Sequence, residues 1–167
     1  IALERRTGTL VWDVRAAAPS EGYSFTMAPL AADGKIIVGS SGGEMGVRGW
    51  VAAIDVASGK EVWRAYNTGP DSDVKIGPRF KPFYAADRGA NLGVTSWPTD
   101  AWKIGGGAAW GWVSYDPALN LVYYGTSNPG PWNEGVRKGD NKWSCAIMAR
   151  DADTGELRWA FQVTPHD

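Results

Sequence analysis

The chain has 167 residues and a formal net charge of −1, with 22 glycines and 10 prolines. The balanced charge gives no indication of a nucleic acid or an anionic membrane surface as a partner, and no apolar run approaches the ~20 residues that span a bilayer. One histidine and one cysteine are too few for a zinc site or an intrachain disulfide. The many glycines and prolines favour short strands and predict an all-β fold.

An eleven-residue pattern occurs three times: Ala, any residue, Asp or Glu, two residues, Thr or Ser, Gly, three residues, Trp. The copies are Ala2–Trp12, Ala53–Trp63 and Ala149–Trp159. Each copy predicts two short strands joined by a tight turn, because Gly supplies a positive φ and the Asp/Glu and Thr/Ser side chains can hydrogen-bond the turn backbone. A single hairpin is marginal in water, so we expect the repeated hairpins to stack on each other.

The spacing of the copies indicates a β-propeller. Their final tryptophans are 51 and then 96 residues apart, and the first interval suits one four-stranded blade, for which roughly 40–50 residues are usual. A weaker echo of the pattern at Ser114–Tyr124 keeps Asp116 and replaces the turn Gly with Asn120. Asn tolerates the same left-handed backbone, so the turn chemistry is retained.

Four hairpins are predicted in chain order, at Met27–Ser40, Val51–Ala65, Trp112–Thr126 and Ala146–Val163. They form two pairs, hence about two blades, with residues 2–12 as the tail of a preceding blade. Two to three blades cannot close into a ring, so we expect the chain alone to expose strand edges and to aggregate or stay partly unfolded.

The segment Tyr66–Gly107 has four prolines and no clear period. It predicts a long loop inserted within a blade, and loops of that length in compact domains are usually functional. Cys145 is predicted to lie in a strand as a buried, inert thiol. His166 is either catalytic or structural, and a lone histidine is more often structural.

Two loops carry candidate ligands for a hard cation. Ser40–Gly49 follows a predicted strand and holds Glu44, whose carboxylate is either a cation ligand or an ordinary surface group. Gly125–Asn133 holds Asn128, which precedes a proline and therefore has an extended backbone. Its amide oxygen suits a cation such as calcium, and the alternative is a turn-capping Asn.

A third loop, Gly105–Trp112, has three glycines followed by small residues and Trp110. This combination suits a flat ligand lying on an indole face. The alternative is a tryptophan packed between blades, and the sequence alone favours neither.

Taken together, the loops and the Trp-ended repeats resemble the quinoprotein alcohol dehydrogenases, which are eight-bladed propellers that use pyrroloquinoline quinone (PQQ). Within that family the chain is most similar to the methanol dehydrogenase large subunit, including its lanthanide-dependent branch. The resemblance covers essentially the whole chain. Its most telling stretches are Ser41–Gly49, Trp102–Gly107, Trp110–Trp112, Tyr115–Pro117, Tyr124–Glu134, Gly139–Trp143 and Thr164–Asp167.

The resemblance implies a role for eight residues. Glu44 and Asn128 match the family's carboxylate and amide metal ligands, and Trp110 matches the indole on which the quinone lies. The positions that match contacts to the quinone's carboxylates and edge are Thr26, Ser41, Gly42 and Gly43. Position 108 contacts the cofactor and is often Thr in the family, whereas this chain has Ala108.

The resemblance also implies a general base, a reaction and partners. It places an Asp general base three residues after Asp167, and a further Asp two residues later marks the lanthanide-dependent branch. The implied function is oxidation of methanol or another primary alcohol with bound PQQ and Ca²⁺ or a lanthanide ion, with electrons passed to a cytochrome c. A periplasmic location and a homodimer or a complex with a small subunit are implied in the same way. The alternatives are a non-enzymatic propeller scaffold of the outer-membrane assembly type and a quinoprotein for larger alcohols.

Overall fold

The computed structural model describes all 167 residues and is built mainly from ten short strands, which confirms the all-β prediction. The two α-helices have four residues each, and neither is long enough to cross a membrane. The elements are β1 Ala2–Leu3, β2 Leu10–Trp12, β3 Leu30–Ala32, β4 Lys35–Gly39, β5 Trp50–Asp55, β6 Glu61–Tyr66, α1 Asp71–Val74, α2 Leu92–Thr95, β7 Val113–Asp116, β8 Leu121–Gly125, β9 Ala146–Asp151 and β10 Leu157–Gln162.

The strands form two four-stranded antiparallel sheets and one two-stranded ribbon. The first sheet has the order β3-β4-β5-β6, the second has the order β7-β8-β9-β10, and β1 pairs with β2. Each four-stranded sheet therefore follows chain order, which is the arrangement of a propeller blade. All four predicted hairpins are present, and the prediction of about two blades is confirmed.

The eleven-residue repeats form the last two strands of each sheet. In every copy the first and last residues face each other across the strands, as Ala53 faces Trp63 and Ala149 faces Trp159. The turn chemistry follows the prediction as well, because the Oδ1 atom of Asp151 accepts the backbone N–H of Thr154 at 3.1 Å. The repeat is thus a hairpin whose turn is fastened by its own acidic side chain.

The tryptophans of the repeats join each hairpin to the next one. Trp12 Nε1 donates to the carbonyl oxygen of Val56 at 2.9 Å, and Trp63 Nε1 donates to that of Ala152 at 3.0 Å. Both acceptors occupy the fourth position of the following repeat. The predicted stacking of the hairpins therefore has a specific hydrogen bond at each step, in addition to the burial of the indole.

The weak echo has a different role from the three strong copies. Asn120 adopts the left-handed backbone with φ 52°, as predicted. The echo lies on β7 and β8, the first two strands of its sheet, and its terminal Tyr124 does not donate to the fourth position of the following repeat. Instead, the Tyr124 hydroxyl donates to Asn67 Oδ1 at 2.8 Å and accepts from Arg150 Nε at 2.7 Å.

The segment of residues 66–107 connects the two sheets, so the prediction that it lies within a blade is wrong. It runs from the end of β6 to the loop before β7, and it contains α1 and α2. This connecting segment accounts for the long interval between the second and third repeats, because the second sheet is complete without it. Buried Arg150 holds the segment by donating to the carbonyl oxygens of Val74 at 2.6 Å and Tyr66 at 3.2 Å.

Cys145 lies immediately before β9 and is partly exposed, so its predicted place in a strand as a buried residue is wrong. Its φ of 46° is left-handed and interrupts the extended backbone. His166 makes backbone contacts only, with Nδ1 2.8 Å from the carbonyl oxygen of Gly139. That contact is in accord with a structural histidine.

Candidate functional site

Three loops surround a cavity of about 470 Å³. The loops precede β5, β7 and β9, and are the three that the sequence analysis singled out. Seven of the eight candidate residues line this cavity, and Ala108 does not. The full lining is Ser24, Thr26, Ser41, Gly42, Gly43, Glu44, Trp110, Ser127, Asn128 and Trp132.

One wall of the cavity is formed where the segment before β3 meets the segment after β4. The backbone N–H of Ser41 donates to Ser24 O at 2.8 Å, and the hydroxyls of Thr26 and Ser41 lie 2.8 Å apart. Ser41 is buried, whereas Thr26 is exposed. The wall therefore presents hydroxyl groups that are already oriented by each other.

Gly42 is fixed in this wall by the backbone rather than by a ligand. Its φ is +102°, and a Cβ at this position would come within 2.3 Å of Gly22 O. Any residue other than glycine is therefore disfavoured here, both by the positive φ and by the clash of its Cβ. The absence of a side chain at Gly42 therefore makes room for a neighbouring chain segment.

Backbone hydrogen bonds tie the loop of Glu44 to the loop of Trp110. Gly49 N donates to Gly106 O at 2.7 Å, and Gly106 N donates to Val47 O at 3.1 Å. Closer to the cavity, Ala109 N donates to Ser40 O at 3.0 Å. The position of Trp110 relative to Glu44 is thus set by main-chain contacts.

The loop of Asn128 is tied to the loop of Trp110 in the same manner. Gly107 N donates to Asn128 O at 3.3 Å, and Ser127 N donates to Ala108 O at 2.8 Å. Ala108 is 1% exposed, and its own N–H donates to Ser127 Oγ at 2.9 Å. Its methyl group is buried behind the wall, which explains why it does not line the cavity.

Glu44 and Asn128 present free oxygen atoms to the cavity. Both side chains are exposed and form no hydrogen bond or ion pair within the protein. Carboxylate and amide oxygens are the donors that hard cations prefer, but such cations take six to eight oxygen ligands. The protein has no group of three or more His, Cys, Asp or Glu residues placed so that they could hold a metal ion together. The two residues fit a hard cation in type, and further oxygens would have to complete its coordination.

Trp110 supplies the aromatic surface. Its indole is 56% exposed, although the backbone on its N-terminal side is buried. An exposed ring on an anchored segment can accept a flat ligand without rearrangement of the main chain. Trp112, two residues later, is 93% exposed and does not line this cavity.

Three lining residues were not identified from the sequence, namely Ser24, Ser127 and Trp132. Ser127 and Trp132 belong to the loop of Asn128, and they could have been considered as its neighbours. Ser24 carries no local signal, because its place in the wall depends on an isolated bridge to Ser41 that is distant in sequence.

Comparison with known proteins identifies the family of the chain. The profile described as "PQQ: Glucose/ethanol/alcohol dehydrogenase, beta-propeller domain" matches residues 6–167. The chain is 51% identical to methanol dehydrogenase [cytochrome c] subunit 1 of Methylobacterium organophilum over 167 residues, covering 100% of this chain and 27% of that protein. It is 52% identical to the lanthanide-dependent methanol dehydrogenase of Methylacidiphilum fumariolicum over 168 residues, covering 100% of this chain and 28% of that protein.

Among solved structures, the fold is similar to a europium-containing methanol dehydrogenase, with a TM-score of 0.95 and 51% identity over 99% of this chain and 29% of that one. The chain belongs to the β-propeller family of PQQ-dependent glucose, ethanol and alcohol dehydrogenases. Its most similar relatives include both the cytochrome c-linked and the lanthanide-dependent methanol dehydrogenases. The chain spans about a quarter of the length of these curated relatives.

Proposed function

We propose that the cavity forms part of the cofactor and metal site of a PQQ-dependent alcohol dehydrogenase that oxidises methanol or another primary alcohol to the aldehyde. The observation that carries this proposal is the convergence of Glu44, Asn128 and Trp110, from three separate loops, on one cavity. A scaffold propeller has no need for free cation ligands beside an exposed indole. The relatives named methanol dehydrogenase, at 51% and 52% identity, favour methanol over larger alcohols.

The cavity wall would bind and orient the quinone. Trp110 would support the flat ring system, with burial and stacking as the sources of affinity. The hydroxyl pair of Thr26 and Ser41 keeps one free hydrogen beyond its mutual hydrogen bond and would donate it to a carboxylate of the quinone. The backbone of Gly42 and Gly43 would lie along the edge of the quinone. Ala108 offers no hydroxyl, and it would contribute only through the main-chain bonds that fix Trp110.

Glu44 and Asn128 would hold the cation with a carboxylate and an amide oxygen. When bound, the cation would supply Lewis-acid chemistry and the quinone would supply the two-electron acceptor for the oxidation of the alcohol. Ca²⁺ and a lanthanide ion both suit these two residues, because both ions are hard and seek oxygen. Glu44 would supply charge, and Asn128 would supply a neutral oxygen.

The remaining parts of the reaction involve groups outside the cavity. We propose an Asp three residues after Asp167 as the general base, as the family resemblance implies; among the lining residues only Glu44 carries a carboxylate. A cytochrome c would accept the electrons, as the printed name of one relative indicates for that protein. A periplasmic location, and a homodimer or a complex with a small subunit, complete the proposal.

The test is alcohol-dependent dye reduction by the full-length protein loaded with PQQ. We expect activity with methanol that requires Ca²⁺ or La³⁺ and disappears on removal of either the quinone or the cation. A higher kcat/KM for a larger primary alcohol than for methanol would identify that alcohol, rather than methanol, as the preferred substrate. Absence of PQQ binding in the presence of both cations would refute it.

A further inference from the structure

Ser127 lies where the three loops around the cavity meet. Its side chain lines the cavity directly before Asn128. Its Oγ accepts the N–H of Ala108 at 2.9 Å and stands 3.6 Å from the point that a Cβ on Gly43 would occupy. A single hydroxyl is therefore in contact with the segment of Trp110 and adjacent to the segment of Glu44.

The hydrogen atom of this hydroxyl has no good acceptor in the protein. A serine hydroxyl offers one donor and two acceptor lone pairs, and one lone pair of Ser127 is used by Ala108. The acceptor within reach of its hydrogen is Asn128 O at 3.4 Å, much longer than the typical O–H···O distance of about 2.7–2.8 Å. The same carbonyl already accepts the N–H of Gly107 at 3.3 Å. The donor is thus weakly engaged at the wall of a cavity.

We propose that Ser127 donates this hydrogen to an oxygen atom, carbonyl or carboxylate, of the quinone bound in the cavity; this inference rests on the proposed function. The neighbouring Ala108 presents only a methyl group and cannot supply such a donor. Ser127 therefore takes part in cofactor binding as well as in fixing the loop that carries Trp110.

The two hydrogen bonds of Ser127 would support each other. An oxygen that accepts from the Ala108 amide while it donates to a ligand is polarised by both bonds, and such chains of hydrogen bonds are cooperatively strengthened. A purely structural role accounts for the bond from Ala108 but leaves the donor without a function. The two roles can be separated, because only the ligand-binding role affects the affinity for the quinone in folded protein.

The experiment titrates the full-length apoprotein with PQQ at a fixed saturating concentration of cation, and records both Kd and the absorption band of the bound quinone. Ser127→Ala removes the hydroxyl, and Ser127→Cys keeps its approximate volume with a weak S–H donor. Ser114→Ala is the matched control, since Ser114 is exposed on β7 and is not one of the residues that line the cavity. Thermal unfolding of every variant reports its effect on the fold.

We expect both Ser127 variants to raise Kd by about two- to tenfold, the loss of one hydrogen bond, with a shift of the bound-quinone band. Ser114→Ala should match the wild type in both readouts. Wild-type Kd for Ser127→Cys would overturn the inference, because the thiol preserves packing but replaces the hydroxyl with a much weaker donor; this outcome decides the matter even if Ser127→Ala fails to fold. Failure of the wild type to bind PQQ would instead refute the proposed function.

Discussion

The indole of Trp63 lies directly against Gly155 in the turn of the next repeat. A Cβ at position 155 would come within 2.5 Å of Trp63 Cε3, and the same indole donates its N–H to Ala152 in that turn. Trp12 has the same relationship to Gly59, where an added Cβ would approach the ring to 2.8 Å. The repeat Gly is thus required by its turn and by the ring of the preceding repeat.

Gly155→Ala should destabilise the full-length protein by about 2–5 kcal/mol. About 1–2 kcal/mol of this arises from a non-glycine residue in the left-handed region, and the rest arises from overpacking against the indole. Gly34→Ala is the matched control, because Gly34 has φ +72° against +73° for Gly155 and nothing within 4 Å of its added Cβ. In denaturant unfolding, Gly34→Ala should lower the free energy of unfolding only by the cost of the left-handed backbone. Equal losses of stability at both positions would argue against the contact between Gly155 and the ring.

Trp63→Phe should cost about 1–3 kcal/mol in the free energy of unfolding. The ring is largely retained, but the carbonyl oxygen of Ala152 loses its donor in a buried place. Trp112→Phe serves as the comparison, since Trp112 is 93% exposed and forms no hydrogen bond. Unfolding in urea should leave the Trp112 variant within about 0.5 kcal/mol of the wild type. A Trp63 variant that behaved likewise would mean that the indole N–H is unimportant.

The local pattern of the sequence predicts the hairpins well and the connection between the sheets poorly. Alternating strands, turn glycines and a fixed Trp spacing are set by residues within a few positions of each other, so Ala53–Trp63 could be recognised alone. The path of residues 66–107 depends on distant partners such as Arg150, which donates to both Tyr66 and Val74. Such contacts leave no periodic signal.

The candidate site was predicted from the resemblance to a known family rather than from a local sequence pattern. When each loop is considered alone, a structural role accounts for Glu44 and Asn128 and is as plausible as a ligand-binding role for Trp110, so only the resemblance to a known family suggested one site. Their convergence on a cavity supports that interpretation. Ser127 was missed because its importance arises from the amide of Ala108, which approaches it only in the folded chain.

Cys145 should react slowly with a disulfide reagent at pH 8 despite its partial exposure. Burial, with a further contribution from the Asp167 carboxylate, raises the pKa of this thiol to about 12. A group with that pKa is almost entirely protonated at pH 8, and only the thiolate attacks. We expect native protein to react at least about 100-fold more slowly than protein unfolded in guanidinium, with the rate rising as the pH approaches 12. Equal rates in the native and unfolded states would contradict the raised pKa.

Trp110→Ala should weaken PQQ binding by at least about tenfold, because it removes both a stacking surface and buried apolar area. Trp112→Ala removes an indole from the same loop without touching the cavity lining, and it should leave the Kd unchanged. Fluorescence or absorbance titration of the full-length apoprotein provides the measurement. Unaltered quinone affinity in the Trp110 variant would exclude the stacking role.

The most direct test of the whole account is the cation affinity of the PQQ-loaded full-length protein, titrated with Ca²⁺ or La³⁺ in the wild type, Glu44→Ala and Glu134→Ala. Glu134 is an exposed carboxylate near the loop of Asn128 and outside the cavity lining. We expect Glu44→Ala to lose at least about 100-fold in cation affinity, while Glu134→Ala binds the cation as the wild type does. Cation binding by Glu44→Ala with wild-type affinity would contradict the proposed site.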